Sequence, residues 1–403
     1  MLTQIAWRNV WRSKGRSSVV IGSMVIGIWA MAFGGGFMRS FLISYIATSI
    51  KHETSNGQIH HPEFKKDNNI QYAIDDPDTI LNQLKNTPGI ANYTSRSIVN
   101  GMISSARQAT GVKIVGVDPS TEAQVTELDS IVSEGEYFPE VSNPVLIGEK
   151  LAEKLQVKVK SKVVLTFQDV NGSITAARFR VTGILHSTSI SINESSAFVL
   201  RSDLNRLLNI GDAAHEIAYT TIPDADDDNI ASQLKNKLPN HAIESWRELS
   251  PALVFMEQWM AASLKVLIII IMSALAFGII NTMLMAVLER IHELGMLIAL
   301  GMKRGRVFIM VMLETIFLST IGGPLGLIAG YGTIAWLGNK GIDFSDYSEG
   351  LEAIGYESIL YPTLNPLDYL QIVIGVLVTA ILASIYPAWK AIRVKPVEAL
   401  HHI

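Results

Sequence analysis

The chain of 403 residues contains no cysteine. That removes a disulfide framework, a thiol nucleophile and a cysteine-ligated metal, and leaves any extracytoplasmic part to hold itself together by its own packing. Charge is also scarce. Asp, Glu, Lys and Arg make up 17% of the chain while apolar residues reach 48%, against roughly a quarter charged in soluble domains. The deficit is concentrated, since residues 17–38, 266–288, 315–339 and 369–389 hold none of the four charged types. Each block approaches or exceeds the ~20 residues that cross a bilayer core, which argues against a soluble enzyme. The 33 basic and 37 acidic side chains leave a net charge of -4, no footprint for binding nucleic acid. A phosphate loop is missing too: the Gly111–Gly116 spacing has no following Gly-Lys-Ser/Thr to cradle phosphates.

What is present divides the chain. Arg8, Arg12, Lys14 and Arg16 precede the first apolar block, which is too long for a cleaved export signal and reads as a retained anchor. From Ser17 to Ile50 the only charge is Arg39, and a helix of that length would measure about 50 Å against about 30 Å of hydrocarbon. Part of it should therefore project as a stalk, and Arg39, late in the helix, should reach the headgroups. Gly34, Gly35 and Gly36 weaken the helix but permit close approach by a neighbouring helix. The fold expected is an all-α four-helix transmembrane domain with a large inserted α+β extracytoplasmic domain and a protruding helical stalk. Its parts are a cytoplasmic amphipathic helix (1–16), the first crossing and stalk (17–50), the inserted domain (51–250), a stalk and second crossing (251–288), a cytoplasmic connection (289–304), a third crossing (305–337), a short outer loop (338–366), a fourth crossing (367–389) and a tail (390–403). The basic flanks Arg8–Arg16, Lys303–Arg306 and Lys390–Lys395 all fall on one side. The positive-inside rule makes that side cytoplasmic, with both termini there and the inserted domain outside.

Within the insert, Val163–Phe167 and Ala177–Ile184 flank Asn171-Gly172 and read as a hairpin. Asp78–Asn86 and Ala231–Leu238 read as amphipathic helices, and Pro144–Gln156 places Leu146, Ile147, Leu151 and Leu155 on or near a helical face. Candidates for chemistry are few. His60-His61 lacks any zinc-binding spacing and reads as structural or surface; Asp224, Asp226, Asp227 and Asp228 lack the calcium-loop pattern and read as a solvated loop; His401-His402 carries no catalytic weight. Glu314 precedes a long apolar run and should pair, snorkel or lie at the cytoplasmic interface.

The segment from Glu289 to Met302 combines charge with apolar periodicity. Leu294, Leu297, Ile298 and Gly301 would form one face, with Glu289, Arg290 and Glu293 polar and Gly301 ending the helix. It reads either as a membrane-surface helix or as a docking element for a cytoplasmic partner. Together with the four crossings, the opening Ala6-Trp7-Arg8-Asn9-Val10-Trp11-Arg12, the run Pro144–Leu155, and the ending Pro387-Ala388-Trp389-Lys390-Ala391 and Pro396-Val397-Glu398-Ala399-Leu400, it resembles the ABC-transporter permeases of the macrolide-exporter, lipoprotein-releasing and cell-division family. The resemblance covers almost the whole chain, and Asn56–His60 looks most like the lipoprotein-releasing members. It implies a mechanotransmission permease in the bacterial inner membrane, paired with a second copy or a related permease. A cytoplasmic ABC ATPase dimer would carry ATP and magnesium, with no cofactor in this chain. It also implies contact with membrane lipids and with a periplasmic lipoprotein carrier or adaptor. The coupling residues it implies are Glu289, Arg290, Glu293, Leu294, Leu297, Ile298 and Gly301. Lipoprotein release is the expected role; export of peptides or hydrophobic drugs and control of a cell-wall hydrolase are the alternatives. Lys160-Ser161 departs from the Gly-Asp turn common in the family.

Overall fold

The computed structural model describes residues 2–67, 69–187, 189–223, 225–352, 356 and 358–393, so Asp224, Pro396–Leu400 and His401-His402 lie outside it. The chain divides into two units, one of Met1–Leu42, Glu257–Asp343 and Ile359–Ile403, the other of Ile43–Met256 and Phe344–Ser358.

The first unit is built on six helices: α1 (Leu2–Arg12), α2 (Lys14–Ser49), α3 (Pro251–Glu289), α4 (Ile291–Ala299), α5 (Arg304–Lys340) and α6 (Pro366–Ile392). Four of them, α2, α3, α5 and α6, are long and apolar enough to cross a membrane. Gly34–Gly36 do not interrupt α2, and a Cβ on Gly36 would come 3.2 Å from Ile334. The tighter seam lies elsewhere. Gly322, Gly326 and Gly330 of α5, spaced four apart, face Met24, Ile28 and Ala32 of α2, which share that spacing. A Cβ on Gly326 would stand 2.8 Å from that of Ile28, and one on Gly330 2.7 Å from that of Ala32. In lipid, helices gain little hydrophobic energy by associating, so this close backbone approach supplies dispersion contact instead.

Arg39 pairs with Asp368 at 3.5 Å. Asp368 is available because it closes the capping box that starts α6, accepting from the Asn365 N–H at 3.1 Å. The unit is not purely helical either: Ile342–Asp343 pairs antiparallel with Ile359–Leu360.

The second unit is α+β. Its strands are β1 (Gly57–His60), β2 (Ile90–Ser104), β3 (Ala109–Val117), β4 (Val132–Gly135), β5 (Pro144–Gly148), β6 (Lys162–Gln168), β7 (Ile174–Leu185), β8 (Ser196–Leu200), β9 (Glu216–Thr221) and β10 (Ala242–Ser245). They form one mixed sheet in the order β10-β1-β9-β2-β3-β8-β5-β7-β4, with β6 pairing β2 and β7. The strand β2 is the hinge of this order. Ile90–Arg96 pairs with β9, and Ser97–Ser104 pairs with β3.

The expected hairpin is β6–β7, turning through Asn171-Gly172 with Gly172 at φ +76°. The two expected helices are Pro77–Lys85 and Asp227–Lys237, capped by Asp76 and Asp226. The described part of the acidic run is therefore a helix start: Asp226 caps it, Asp227 accepts from Trp246 and Thr221, and Asp228 accepts from Ser245. The helix expected over Pro144–Gln156 is half strand. Pro144–Gly148 is β5, buried throughout, and only Glu149–Leu155 is helical. A short apolar run buried on both faces shows no alternation to separate strand from helix.

At the point where β2 changes partner, buried Arg96 donates to both oxygens of Glu122, at 3.0 and 2.8 Å, and to Glu216 at 2.7 Å. Burial alone would raise the Glu216 pKa, but the His60 hydrogen bond and the Arg96 charge outweigh it and hold the carboxyl well below its usual range. His60 is thus a structural partner of this cluster, 3.3 Å from Glu216. The stability that the Glu216 carboxylate contributes is present above the ordinary glutamate pKa and is lost as pH falls through the depressed value.

Lys160 occupies the left-handed region at φ +74°. The turn that glycine would make is therefore kept, closed by Ser161, which accepts from the Lys158 N–H at 3.0 Å. Two stability outcomes follow from these backbones. Lys160→Gly should raise stability by about 0.5–1 kcal/mol, the side-chain strain of a left-handed residue exceeding the entropy that glycine costs. Gly326→Val should cost about 1–3 kcal/mol by overpacking the α2–α5 seam, whereas Gly332→Ala, with nothing within 4 Å of the added Cβ, should be neutral or slightly stabilising. Thermal unfolding of the full chain in detergent checks all three.

Candidate coupling surface

The segment joining α3 to α5 turns at Arg290 and forms α4 over Ile291–Ala299. Gly301 ends it, at φ +97°. The Met302 N–H bonds the Leu297 carbonyl and the Gly301 N–H that of Ile298, both at 3.0 Å, a closure that only glycine enters without strain.

The apolar face assigned from spacing points inward. Leu294 is 3% exposed, and Leu297, Ile298 and Met302 pack on the same apolar cluster as Val307 and Met310. Leu294 is thus an anchor and not a contact surface. The outward side of α4 carries His292, Met296, Ala299 and Leu300, with Met296 55% and Leu300 79% exposed.

Glu289, Arg290 and Glu293 of the segment are engaged within the chain. Arg290 donates to Glu293 at 3.2 Å and to both oxygens of Glu314, at 3.3 and 3.4 Å. Glu314, 7% exposed, also accepts from the Asn9 amide at 2.6 Å. Arg12 pairs with Glu293, and Arg16 with Glu289. The hydrogen bond from Arg12, joined by that from Arg290, holds the Glu293 carboxyl below its usual range. Together these bonds tie α1, the start of α2 and α5 to the segment around α4. The helix α1 docks through Ala6 and Val10, which are buried one turn apart, and Trp7 meets Phe317 edge-on at 5.5 Å.

Of pairing, snorkelling and lying at the interface, pairing is what the structure shows for Glu314. Asn9, Arg12 and Arg16 read from the sequence only as opening basic or elbow residues, although the spacing of three between Asn9 and Arg12 is a signal that these two share a face of α1. Met296 and Leu300 were missed because the inward and outward apolar residues of α4 are alike in type. Among the described residues, no three of His, Asp and Glu gather to hold a metal.

These pairs differ in consequence. Arg290→Met leaves the buried Glu314 carboxylate with Asn9 alone and should cost about 3–5 kcal/mol, whereas Arg12→Ala, at a pair open to water, should leave the melting temperature nearly unchanged. Parallel thermal unfolding of the two variants measures the difference.

Compared with known proteins, residues 17–237 match the MacB-like periplasmic core domain and residues 265–396 the FtsX-like permease C-terminal region. The chain is 22% identical over 354 residues to the lipoprotein-releasing system transmembrane protein LolC of Neisseria meningitidis serogroup B, covering 82% of this chain and 83% of that protein. It is 23% identical over 329 residues to LolC of Haemophilus influenzae, covering 79% and 76%. The macrolide export ATP-binding/permease protein MacB of Bdellovibrio bacteriovorus is 22% identical over 363 residues, or 83% of this chain and 50% of that protein. With the first of these regions alone spanning more than half of its length, the chain belongs to the LolC/MacB family of ABC-transporter permeases.

Proposed function

We propose that this permease converts the motion of a separate cytoplasmic ATPase dimer into movement of its large domain, releasing lipoproteins from the inner membrane to a periplasmic carrier. ATP and magnesium belong to the partner, and two permease copies, or this chain and a related one, complete the assembly. Both termini and α4 are placed in the cytoplasm and the large domain in the periplasm, a topology supported by the four candidate spans and the basic flanks. The stalk is made by α2 and α3, which at 36 and 39 residues exceed the roughly 20 that a bilayer core requires.

The observation that carries the coupling role is the exposed pair Met296 and Leu300 on a helix whose opposite face is buried. The partner contacts this outward side, while Leu294, Leu297 and Ile298 pass the force inward and Gly301 sets the exit of the chain. Glu289, Arg290 and Glu293 hold the helix in register with α1, α2 and α5. Lipoprotein release is supported by the coverage shared with LolC. Export of a hydrophobic substrate is the second reading, supported by the likeness to MacB over 83% of this chain.

Met296→Glu and Leu300→Glu, co-expressed with the ATPase, should each lower nucleotide-dependent release of lipoproteins from spheroplasts by tenfold or more, with unchanged membrane levels. Wild-type release by both variants would sink the docking assignment. A wild-type complex that releases no lipoprotein but lowers macrolide sensitivity would decide for the export reading.

A further inference from the structure

The helix α1 is held by its unit on three sides and open on the fourth. At 3.6 residues per turn, Ala6 and Val10 share one side, buried in the apolar cluster of the bundle. Asn9 and Arg12 lie on one flank, bonded to Glu314 of α5 and Glu293 of α4. Trp7 and Trp11 lie on the other flank, edge to face at 6.0 Å, with Trp7 against Phe317 of α5. Arg8 is exposed on the side opposite Ala6 and Val10.

These contacts fix the depth of the helix. Along α5 from its start at Arg304, Glu314 comes first and Phe317 three residues later, inside the uncharged stretch 315–339. The polar flank of α1 therefore meets α5 toward the aqueous end, and the indole flank meets it about 4.5 Å deeper, at the edge of the hydrocarbon. Tryptophan is enriched at that depth in membrane proteins. Trp7 and Trp11 are each nearly half exposed, and neither indole N–H bonds to a described residue. Each ring thus keeps an apolar body for lipid chains and a donor for a headgroup oxygen.

Charge marks the same edge. The carboxylates of 1–16 and 289–314 are Glu289, Glu293 and Glu314, and Arg16, Arg12 and Arg290 engage them. Arg8 pairs with no carboxylate among the described residues, nor does Lys14, exposed at the start of α2. The local acids are spent within the chain, so the open edge of α1 keeps a net positive charge beside two indoles. A zwitterionic headgroup leaves that charge unanswered, whereas an anionic one matches it, and a guanidinium can donate two parallel bonds to one phosphate.

We infer that Arg8, flanked by Trp7 and Trp11, binds the phosphate of an anionic phospholipid in the leaflet at this end of the bundle. Since α1 also holds Glu314 and Glu293 through its other flank, lipid at this edge bears on the segment around α4 as well. The inference rests on the reading that places α1 in the cytoplasm, where the leaflet surface is negative.

The absence of cysteine allows one dye to be set beside the site. Gln4→Cys, one turn before Arg8 on the exposed side of α1, is labelled with bimane in the full-length chain and reconstituted in phosphatidylcholine nanodiscs. Spin-labelled phosphatidylglycerol and spin-labelled phosphatidylcholine with the same chains are added separately at equal mole fraction. The phosphatidylglycerol should quench at least threefold more strongly, and less so at high salt. Arg8→Gln, at a side chain with no ion pair to lose, should bring the two lipids to parity. Arg306→Gln, at an exposed cation near the start of α5, should leave the preference intact. Equal quenching by the two lipids in the parent chain would assign the edge to an acidic protein surface or to water and overturn the proposal. So would a preference that survives Arg8→Gln, or one that Arg306→Gln removes as completely, the mark of a diffuse basic surface. Both leaflets of a nanodisc hold the same lipids, so none of these results depends on sidedness. A membrane-impermeant maleimide that labels the Gln4→Cys thiol from outside intact spheroplasts would instead overturn the cytoplasmic placement and leave the lipid site standing.

Discussion

Glu314 stands in a helix that the bilayer requires to be apolar, and its carboxylate is tolerable there because Arg290 and Asn9 meet it. That requirement organises its surroundings. Arg290 can reach Glu314 only if the chain turns at the end of α3, and Asn9 only if α1 lies against α5. The same constraint turns the apolar side of α4 toward the bundle, where Leu294 closes the cluster around Val307 and Met310. The exposed pairs of Arg12 and Arg16 add register at little energetic gain, since water screens them.

An equivalent exchange holds the large domain. Arg96 takes two carboxylates out of water where β2 passes from β9 to β3, so the two halves of the sheet meet at a buried, hydrogen-bonded cation. Hydrophobic clusters lie to either side, one around Ile59, Ile217 and Tyr219, another around Val99, Ile114 and Val199.

Much of this was readable along the chain. Blocks without charge fell inside the four long helices, Asn171-Gly172 marked its hairpin, and Gly301 marked the end of α4. Local chemistry decides each of these. Less was readable of the coupling surface. The sequence shows that Leu294, Met296, Leu297 and Leu300 are apolar but not which of them meets the bundle, and the answer puts Leu294 inside and Leu300 outside. Arg39 likewise met a partner more than 300 residues away, at Asp368, where a local reading could offer only lipid.

The amino-acid order by itself determined where the chain can leave water, since that depends on charge and apolar length summed over neighbouring residues. It also determined the turns and caps, which depend on single side chains and one backbone angle. Tertiary structure alone decided which buried charges answer one another and which glycines touch. Arg96 with Glu216 and Gly326 with Ile28 are joined across long stretches of chain, and such pairings arise only when the helices and strands that carry them are packed together.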